Sequence, residues 1–319
     1  MNKIYCLLLL ALAGCADKTD DPMVFGANTR PGYAPIYVAR EMGYLDGGKV
    51  HLAEFTNATD VLRALHNGKL QVAGLTLDEA LGARKVIPDV RVFLVADISN
   101  GADLLMVRRG ITRLSQLKGK RIGVEKNANG AYFLSLILRA ANISDLDVQI
   151  VSLPLNEQVD AYRKGLLDAV VTYRSVHHEL QRLGAQSLFD SSKVPGKIVS
   201  VLAVRASDKV KYSAQLDVLI EAWFRGLKVI RQDPARAYPF MARRKFVPVS
   251  ETEYTLRGMA LLDQWQNFQQ LYGEPAPLLT TAAEIQGVLK QAGLPAGSDD
   301  LADLVVPHIL RSVAGGAEP

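Results

Sequence analysis

The segment Val72-Ala73-Gly74-Leu75-Thr76-Leu77-Asp78-Glu79-Ala80-Leu81-Gly82-Ala83-Arg84-Lys85 decides how the chain is read. Its first four residues form a short apolar run without charge, the pattern of a strand buried on both faces. Thr76-Leu77-Asp78-Glu79 then has the spacing of a capping box, in which threonine and glutamate each satisfy a free backbone donor at a helix start. A buried strand passing directly into a capped helix is the repeating unit of a parallel sheet covered by helices.

The alternation continues in both directions. Upstream, Met23 to Ala27 is an apolar run, followed by a loop with Pro31-Gly32 and a helical stretch from Pro35 to Met42 that Gly43 ends. Val50 to Phe55 reads as a strand. Thr59 to Asn67 reads as a helix, with Val61, Leu62 and Leu65 at three-to-four spacing and Gly68 as its stop. Downstream, Val90 to Ile98 and Asp103 to Val107 are strands. After Leu117-Lys118-Gly119-Lys120 the pattern restarts, with strands at Arg121–Val124, Val148–Ser152 and Ala169–Thr172. Helices at Gly130–Ala141, Glu157–Lys164 and Ser175–Leu183 alternate with them. Val199 to Val204 is the last strong strand. Beyond it the spacing predicts helices at Ser213–Gln232, Pro234–Lys245, Ser250–Tyr272 and Thr281–Ala292, the last two opened by capping boxes at Ser250/Glu253 and Thr281/Glu284. Leu301 to Val313 reads as a final helix, bent or broken at Pro307.

The economical architecture is α/β, with two lobes that share a chain crossing twice, each lobe a doubly wound sheet. The expected division is residues 23–107 plus 201–319 for lobe 1, with the C-terminal helices packing there, and 108–200 for lobe 2. One α/β domain with a helical extension is the alternative.

Lys3, the apolar run from Ile4 to Ala13 and Leu12-Ala13-Gly14-Cys15 describe a secretory signal over residues 1–14. The run falls short of the roughly 20 residues a membrane-spanning helix needs. Leu-Ala-Gly-Cys resembles the lipobox of bacterial lipoproteins, which implies acylation of Cys15 and a polar tether over residues 15–22. The other cysteine, Cys6, lies in the signal, so an intrachain disulfide in the mature body is excluded. The formal charge of +4, from 37 basic and 33 acidic residues, is too small and scattered to point to nucleic acid.

Parallel sheets place binding residues in the loops beyond the carboxyl ends of their strands. Here those loops hold Asn28 to Tyr33, Thr76, Ser99 to Asp103, Glu125 to Gly130, Asn156-Glu157 and Tyr173-Arg174. They supply donors, acceptors and aromatic faces suited to one small solute. Catalytic patterns are absent: there is no HExxH, GxSxG, Walker loop or GxGxxG. The five histidines include the adjacent His177 and His178, which diverge by roughly 100° on a helix and read as a solvated surface. No catalytic residue, metal ligand or cofactor is expected. Trp223, Phe224, Trp265 and Phe268 read as core positions of amphipathic helices.

Four segments carry a resemblance to the bacterial solute-binding proteins of the nitrate/sulfonate/taurine and thiamine-precursor group of ABC importers. They are Gly32-Tyr33-Ala34-Pro35-Ile36-Tyr37-Val38-Ala39, Asp97-Ile98-Ser99-Asn100-Gly101-Ala102-Asp103, Leu114 to Glu125, and Gly165 to Thr172. The resemblance implies a type II-like periplasmic-binding-protein fold, hinged near Met106–Gly110 and Ser200–Arg205, that closes on one solute. It also implies a monomer tethered by its lipid on the periplasmic side of a bacterial membrane, serving a permease in the inner membrane. By position it carries over Thr29, Tyr33, Thr76, Ser99, Glu125, Asn129, Glu157 and Tyr173 as cleft residues. Glu125 and Glu157 favour a solute with amino or ring N–H donors, such as a pyrimidine-like thiamine precursor. Asn129-Gly130 at a helix start favours an anion such as a sulfonate. Tyr173-Arg174-Ser175 departs from the group's Thr-x-Glu-Pro, placing an arginine where a carboxylate is common. The rival readings are a ligand sensor for a membrane receptor and an enzyme, since the fold group includes a pyrimidine synthase that consumes its own histidine.

Overall fold

The computed structural model describes residues 20–125, 129–245 and 248–306. Its strands are β1 (Met23–Asn28), β2 (Val50–Phe55), β3 (Val72–Thr76), β4 (Val90–Ser99), β5 (Asp103–Val107), β6 (Arg121–Val124), β7 (Gln149–Ser152), β8 (Ala169–Tyr173), β9 (Gln186–Asp190), β10 (Val199–Arg205) and β11 (Met259–Leu261). The helices up to β9 are α1 (Ala34–Glu41), α2 (Ala58–His66), α3 (Leu77–Ala83), α4 (Asn129–Ala141), α5 (Leu155–Arg163) and α6 (His177–Arg182). After β10 come α7 (Ala206–Lys211), α8 (Ser213–Gln232), α9 (Pro234–Lys245), α10 (Val249–Leu256), α11 (Gln264–Leu271) and α12 (Pro277–Gln291).

The strands form two sheets, ordered β11-β4-β10-β3-β1-β2 and β7-β6-β8-β5-β9. Each centres on three parallel strands, β2-β1-β3 in one and β7-β6-β8 in the other. The expectation of purely parallel sheets fails at β10 and β11 in the first and at β5 in the second. β10 runs antiparallel to β3 and β4, and β5 antiparallel to β8 and β9. Connectivity explains both. β4 ends at Ser99 on the side where the parallel strands end, and Asn100–Ala102 carry the chain into the other sheet. A strand that begins where its neighbours end must run against them. β10 returns by the reciprocal route, after residues 191–198.

This geometry moves features placed from sequence. Asp103–Val107, expected in the first lobe, pairs on both sides within the second sheet, and Val199–Ser200 belongs to the first. Met106–Gly110 and Ser200–Arg205 therefore include buried, doubly paired strand residues that cannot serve as hinges. The chain crosses instead at 100–102 and 191–198. β9 was not apparent in sequence because its Gln186-Ser187-Leu188-Phe189-Asp190 is a half-exposed edge. The helix expected over Ser250–Tyr272 is broken into α10, β11 and α11, since Met259–Leu261 pairs with Asp97–Ser99. α12 starts at Pro277, so Thr281 lies inside it and its box caps nothing; Ser250 likewise follows the true N-cap, Pro248. Residues 301–306 form a turn and a bridge from Val305 to Val92, not a helix, and 307–313 lie outside the described residues.

The first sheet buries Phe25, Val72, Leu75, Phe93, Val95 and Leu202 at no measurable exposure, and Trp223 of α8 joins the same buried cluster. Gly226 of α8 lets that helix approach α1 closely, because a Cβ there would sit 2.0 Å from the Pro35 carbonyl oxygen. Trp265, expected in the core, is 57% exposed and stacks on Phe268.

Candidate functional site

The carboxyl ends of the parallel strands from both sheets face one another, and their loops interlock. After β1, the Arg30 N–H donates to Asn28 Oδ1 at 3.0 Å, which shapes the loop. The Arg30 side chain is 4% exposed and donates through both terminal nitrogens to Asp103, at 3.2 and 2.9 Å. This fork joins the first sheet's loop to the first residue of β5. Asp103 also accepts from the Ser99 hydroxyl at 2.5 Å and from Asn129 Nδ2 at 2.7 Å. Ser191 Oγ lies 2.7 Å from Ser99 Oγ and accepts from the Gly101 N–H at 2.7 Å. Both crossings between the sheets are thus tied at one point.

Two further contacts span the lobes. Glu79 accepts from the Thr76 N–H at 2.8 Å, half of the capping box, and its other oxygen accepts from the N–H of Asn129 on α4 at 3.1 Å. Glu125 accepts from the hydroxyl and N–H of Thr59 on α2, at 3.1 and 3.4 Å. The Arg30 guanidinium lies 5.1 Å from the Tyr173 ring centre at the end of β8, within cation–π range. A cavity of about 10 Å³ remains between the lobes, lined by Thr29, Arg30, Asn57, Glu125, Leu155 and Tyr173. That is room for about one water, so the loops close upon each other here, while a larger cavity of about 260 Å³ lies between α2, α3, α4 and α12.

Beneath the Arg30–Tyr33 loop, Thr76, Ser200 and Asp97 lie side by side in register across β3, β10 and β4. All three are buried, with the Ser200 hydroxyl beside the Asp97 carboxyl. Gly32 must be glycine here: a Cβ would lie 1.7 Å from Asp97 Oδ2. Burial raises the Asp97 carboxyl above its ordinary range against the pull of Arg30, and burial with the charge of Glu79 raises Glu125. Burial beside Glu79 pushes Asp78 up to about 8. Arg30 is held well above its ordinary value, since Asp103 and Asp97 outweigh the burial that opposes its charge. Burial also raises the Tyr33 and Tyr173 hydroxyls. Among the described residues, no group of three or more His, Cys, Asp or Glu is placed to hold a metal ion.

A family model described as NMT1/THI5 like matches residues 30–237, from the site's arginine into α9. The chain belongs to the NMT1/THI5-like family. It is 24% identical over 281 residues to the taurine-binding periplasmic protein of Escherichia coli K12, covering 83% of this chain and 85% of that protein. The structure resembles the alkanesulfonate-binding protein SsuA from Xanthomonas axonopodis pv. citri bound to MOPS, with TM-score 0.73, 16% identity and coverage of 92% of this chain and all of that one. It also resembles the desulfurization enzyme DSZB, with TM-score 0.69, 16% identity and coverage of 93% and 100%. The fold is the two-lobed periplasmic-binding-protein fold, which these neighbours show to serve both binding proteins and an enzyme.

Within this NMT1/THI5-like frame, Thr29, Tyr33, Thr76, Ser99, Glu125, Asn129 and Tyr173 gather around the closed cleft. Glu157 does not: it lies exposed in the first turn of α5, and Leu155 of the same segment lines the cavity. Arg174 also stays out of the cavity and stacks on Tyr254 of α10 at 4.0 Å. The rings of His177 and His178 both pack on Tyr254, at 5.4 and 4.8 Å, although the His178 side chain stays 45% exposed, so the expected solvated face is only partly so. Sequence reading missed Arg30, Glu79, Asp97, Asp103 and Ser191. Four of these lie in segments singled out for other reasons, the Asn28–Tyr33 loop, the capping box and the Asp97–Asp103 motif. Ser191, in the second crossing, carried no signal. Cys15 and residues 1–19 lie outside the described residues.

Proposed function

We propose that this chain is the extracytoplasmic solute-binding component of an ABC importer, capturing a small nitrogen-bearing solute between its lobes. The observation that carries the ligand class is the sign of the cleft. Glu79, Asp97, Asp103 and Glu125 crowd the site, and Arg30 in their midst already pairs with Asp103. The buried Asp97 carboxyl beside this cluster favours a ligand that brings donors. An amine or a ring with N–H groups meets that need, and an amino sulfonate satisfies it through its amino end.

Solute contacts made to both lobes exist only in the closed form, so the solute shifts the population toward closure. The closed lobe pair is then the surface a permease recognises, and no bond is made or broken. Anchoring through a lipid on Cys15, with residues 15–22 as tether, fits a body in which no described helix is long and apolar enough to cross a membrane. The second reading is capture of a sulfonate through its anionic end alone. It rests on the start of α4 at Asn129, and the names of the taurine- and alkanesulfonate-binding relatives favour it.

Titration calorimetry with a panel of aminopyrimidines, aliphatic amines, taurine and plain alkanesulfonates tests the proposal. Nitrogen-bearing members are expected to bind, and Glu125→Gln to weaken them by roughly tenfold or more. Tight binding of plain alkanesulfonates alone, unchanged by Glu125→Gln, transfers the ligand class to anions. Product formation from a panel member overturns the reading as a binding protein.

A further inference from the structure

A second set of contacts joins the lobes away from the solute cleft. On the second lobe, β8 runs into the short turn Arg174–Val176 and α6. On the first, α10 and Gly258 precede β11. The Arg174 guanidinium lies over the Tyr254 ring at 4.0 Å, and the Tyr254 hydroxyl is 3.4 Å from His177 Nδ1. His178 Nε2 is 3.1 Å from Glu251 Oε2. Gly258 makes the seat for the arginine, because a Cβ there would fall 2.9 Å from Arg174 Nη1 and 3.0 Å from its Cδ. Backbone bonds tie this seat to the first crossing: Arg174 N–H to the Ala102 carbonyl at 2.7 Å, and Asn100 N–H to the Gly258 carbonyl at 2.8 Å.

We propose that Arg174, His177 and His178 clamp the second lobe onto Tyr254 and Glu251 of α10, a brace outside the cleft that positions Tyr173 and sets how readily the lobes close. Tyr173 and Arg174 are chain neighbours: one lines the solute cavity while the other is pinned to the opposite lobe. A small rotation of the lobes therefore moves the brace and the cleft wall together. Burial, with His178 and Arg174 nearby, lowers the proton affinity of His177, which keeps Nδ1 available as an acceptor for the Tyr254 hydroxyl. The brace also gives the unexpected Arg174 a role, where the sequence resemblance led to a carboxylate. Its value for solute affinity rests on the solute-capture reading above; its mechanical role does not.

Amide hydrogen exchange of the full chain without solute separates a brace from local packing. The informative amides are those of Asn129 and Thr59, which donate across the lobes to Glu79 and Glu125 on the cleft side. Tyr254→Ala is expected to speed exchange at both by roughly tenfold, the worth of a partly buried cation–π contact. Tyr254→Phe keeps the ring under the guanidinium and is expected to restore most of the protection. Protection of the central strand β10 serves as the folding control, and Arg174→Ala replaces Tyr254→Ala if that variant does not fold. Faster exchange confined to α6 and α10, or no change at Asn129 and Thr59, overturns the brace. Because no solute enters the measurement, its failure leaves solute capture standing, and failure of the titration leaves the brace standing.

Discussion

Asp78 sits in the first turn of α3 with 5% of its surface exposed, beside Glu79, whose two oxygens are occupied by backbone N–H groups. The helix N-terminus favours a negative charge there, but burial and the neighbouring carboxylate win, pushing Asp78 up to about 8. In the unfolded chain an aspartate titrates near pH ~4. The folded state therefore holds a proton that the unfolded state has lost between those values. The associated stability is fully present below pH ~4 and is lost as pH rises toward about 8. Asp78→Asn keeps the shape without the ionisation. Its melting temperature should match wild type near pH ~4 and exceed it by roughly 5 °C near pH 8, read by circular dichroism. A gap that is the same at both pH values would assign the titration elsewhere. At this scale the sequence shows which loops carry polar groups, but not which groups meet. Arg30 and Asp103 are 73 residues apart, and nothing local to either names the other. Gly32 reads as a turn glycine, whereas its need comes from the Asp97 carboxylate pressed against it.

Elements with strong periodicity were legible: α8 and α9 lie at the expected residues, and β3 passes into α3 through half of its capping box. Elements fixed by long-range pairing were not. The run from Ser250 to Tyr272 has helical spacing throughout, yet Met259–Leu261 is drawn out as a strand because the outer edge of β4 needs partners. Beyond β11 a side chain continues that ladder. Asn267 of α11, with no exposed surface, accepts from the Val95 N–H at 2.6 Å and donates to the Val95 carbonyl at 3.0 Å. Asn267→Leu fits a similar volume but strips both partners from a buried peptide group. The expected loss is about 3 kcal/mol in urea unfolding, with the denaturant slope unchanged. A loss below about 0.5 kcal/mol would mean that water replaces the asparagine at that edge.

The two-lobed plan was legible because strand and helix alternate, stop and restart; the crossing points were not, because periodicity does not reveal strand direction. Placing the crossings at 100–102 and 191–198 puts Arg30 and Asp103 on opposite sides of the first one, so their pair forms between the two lobes. It is buried on both sides, at 4% and 1% side-chain exposure. Losing one partner of such a pair costs about 3–5 kcal/mol where the other charge stays buried. In an open form water would reach Asp103, so most of that cost would fall on the closed form. Arg30→Met should therefore shift the lobes open without unfolding either. Solution scattering of the solute-free protein should show a larger radius of gyration than wild type. Affinity for any solute held by both lobes should fall by roughly 100-fold or more, because the competent closed form becomes a minor population. Asp103→Asn leaves Arg30 with a neutral acceptor and Asp97 nearby, so a smaller shift in the same direction is expected. If Arg30→Met leaves the scattering profile and the melting temperature at wild-type values, the pair contributes nothing to closure. The Glu79 and Glu125 contacts and the proposed α10 brace would then be among those that hold the lobes.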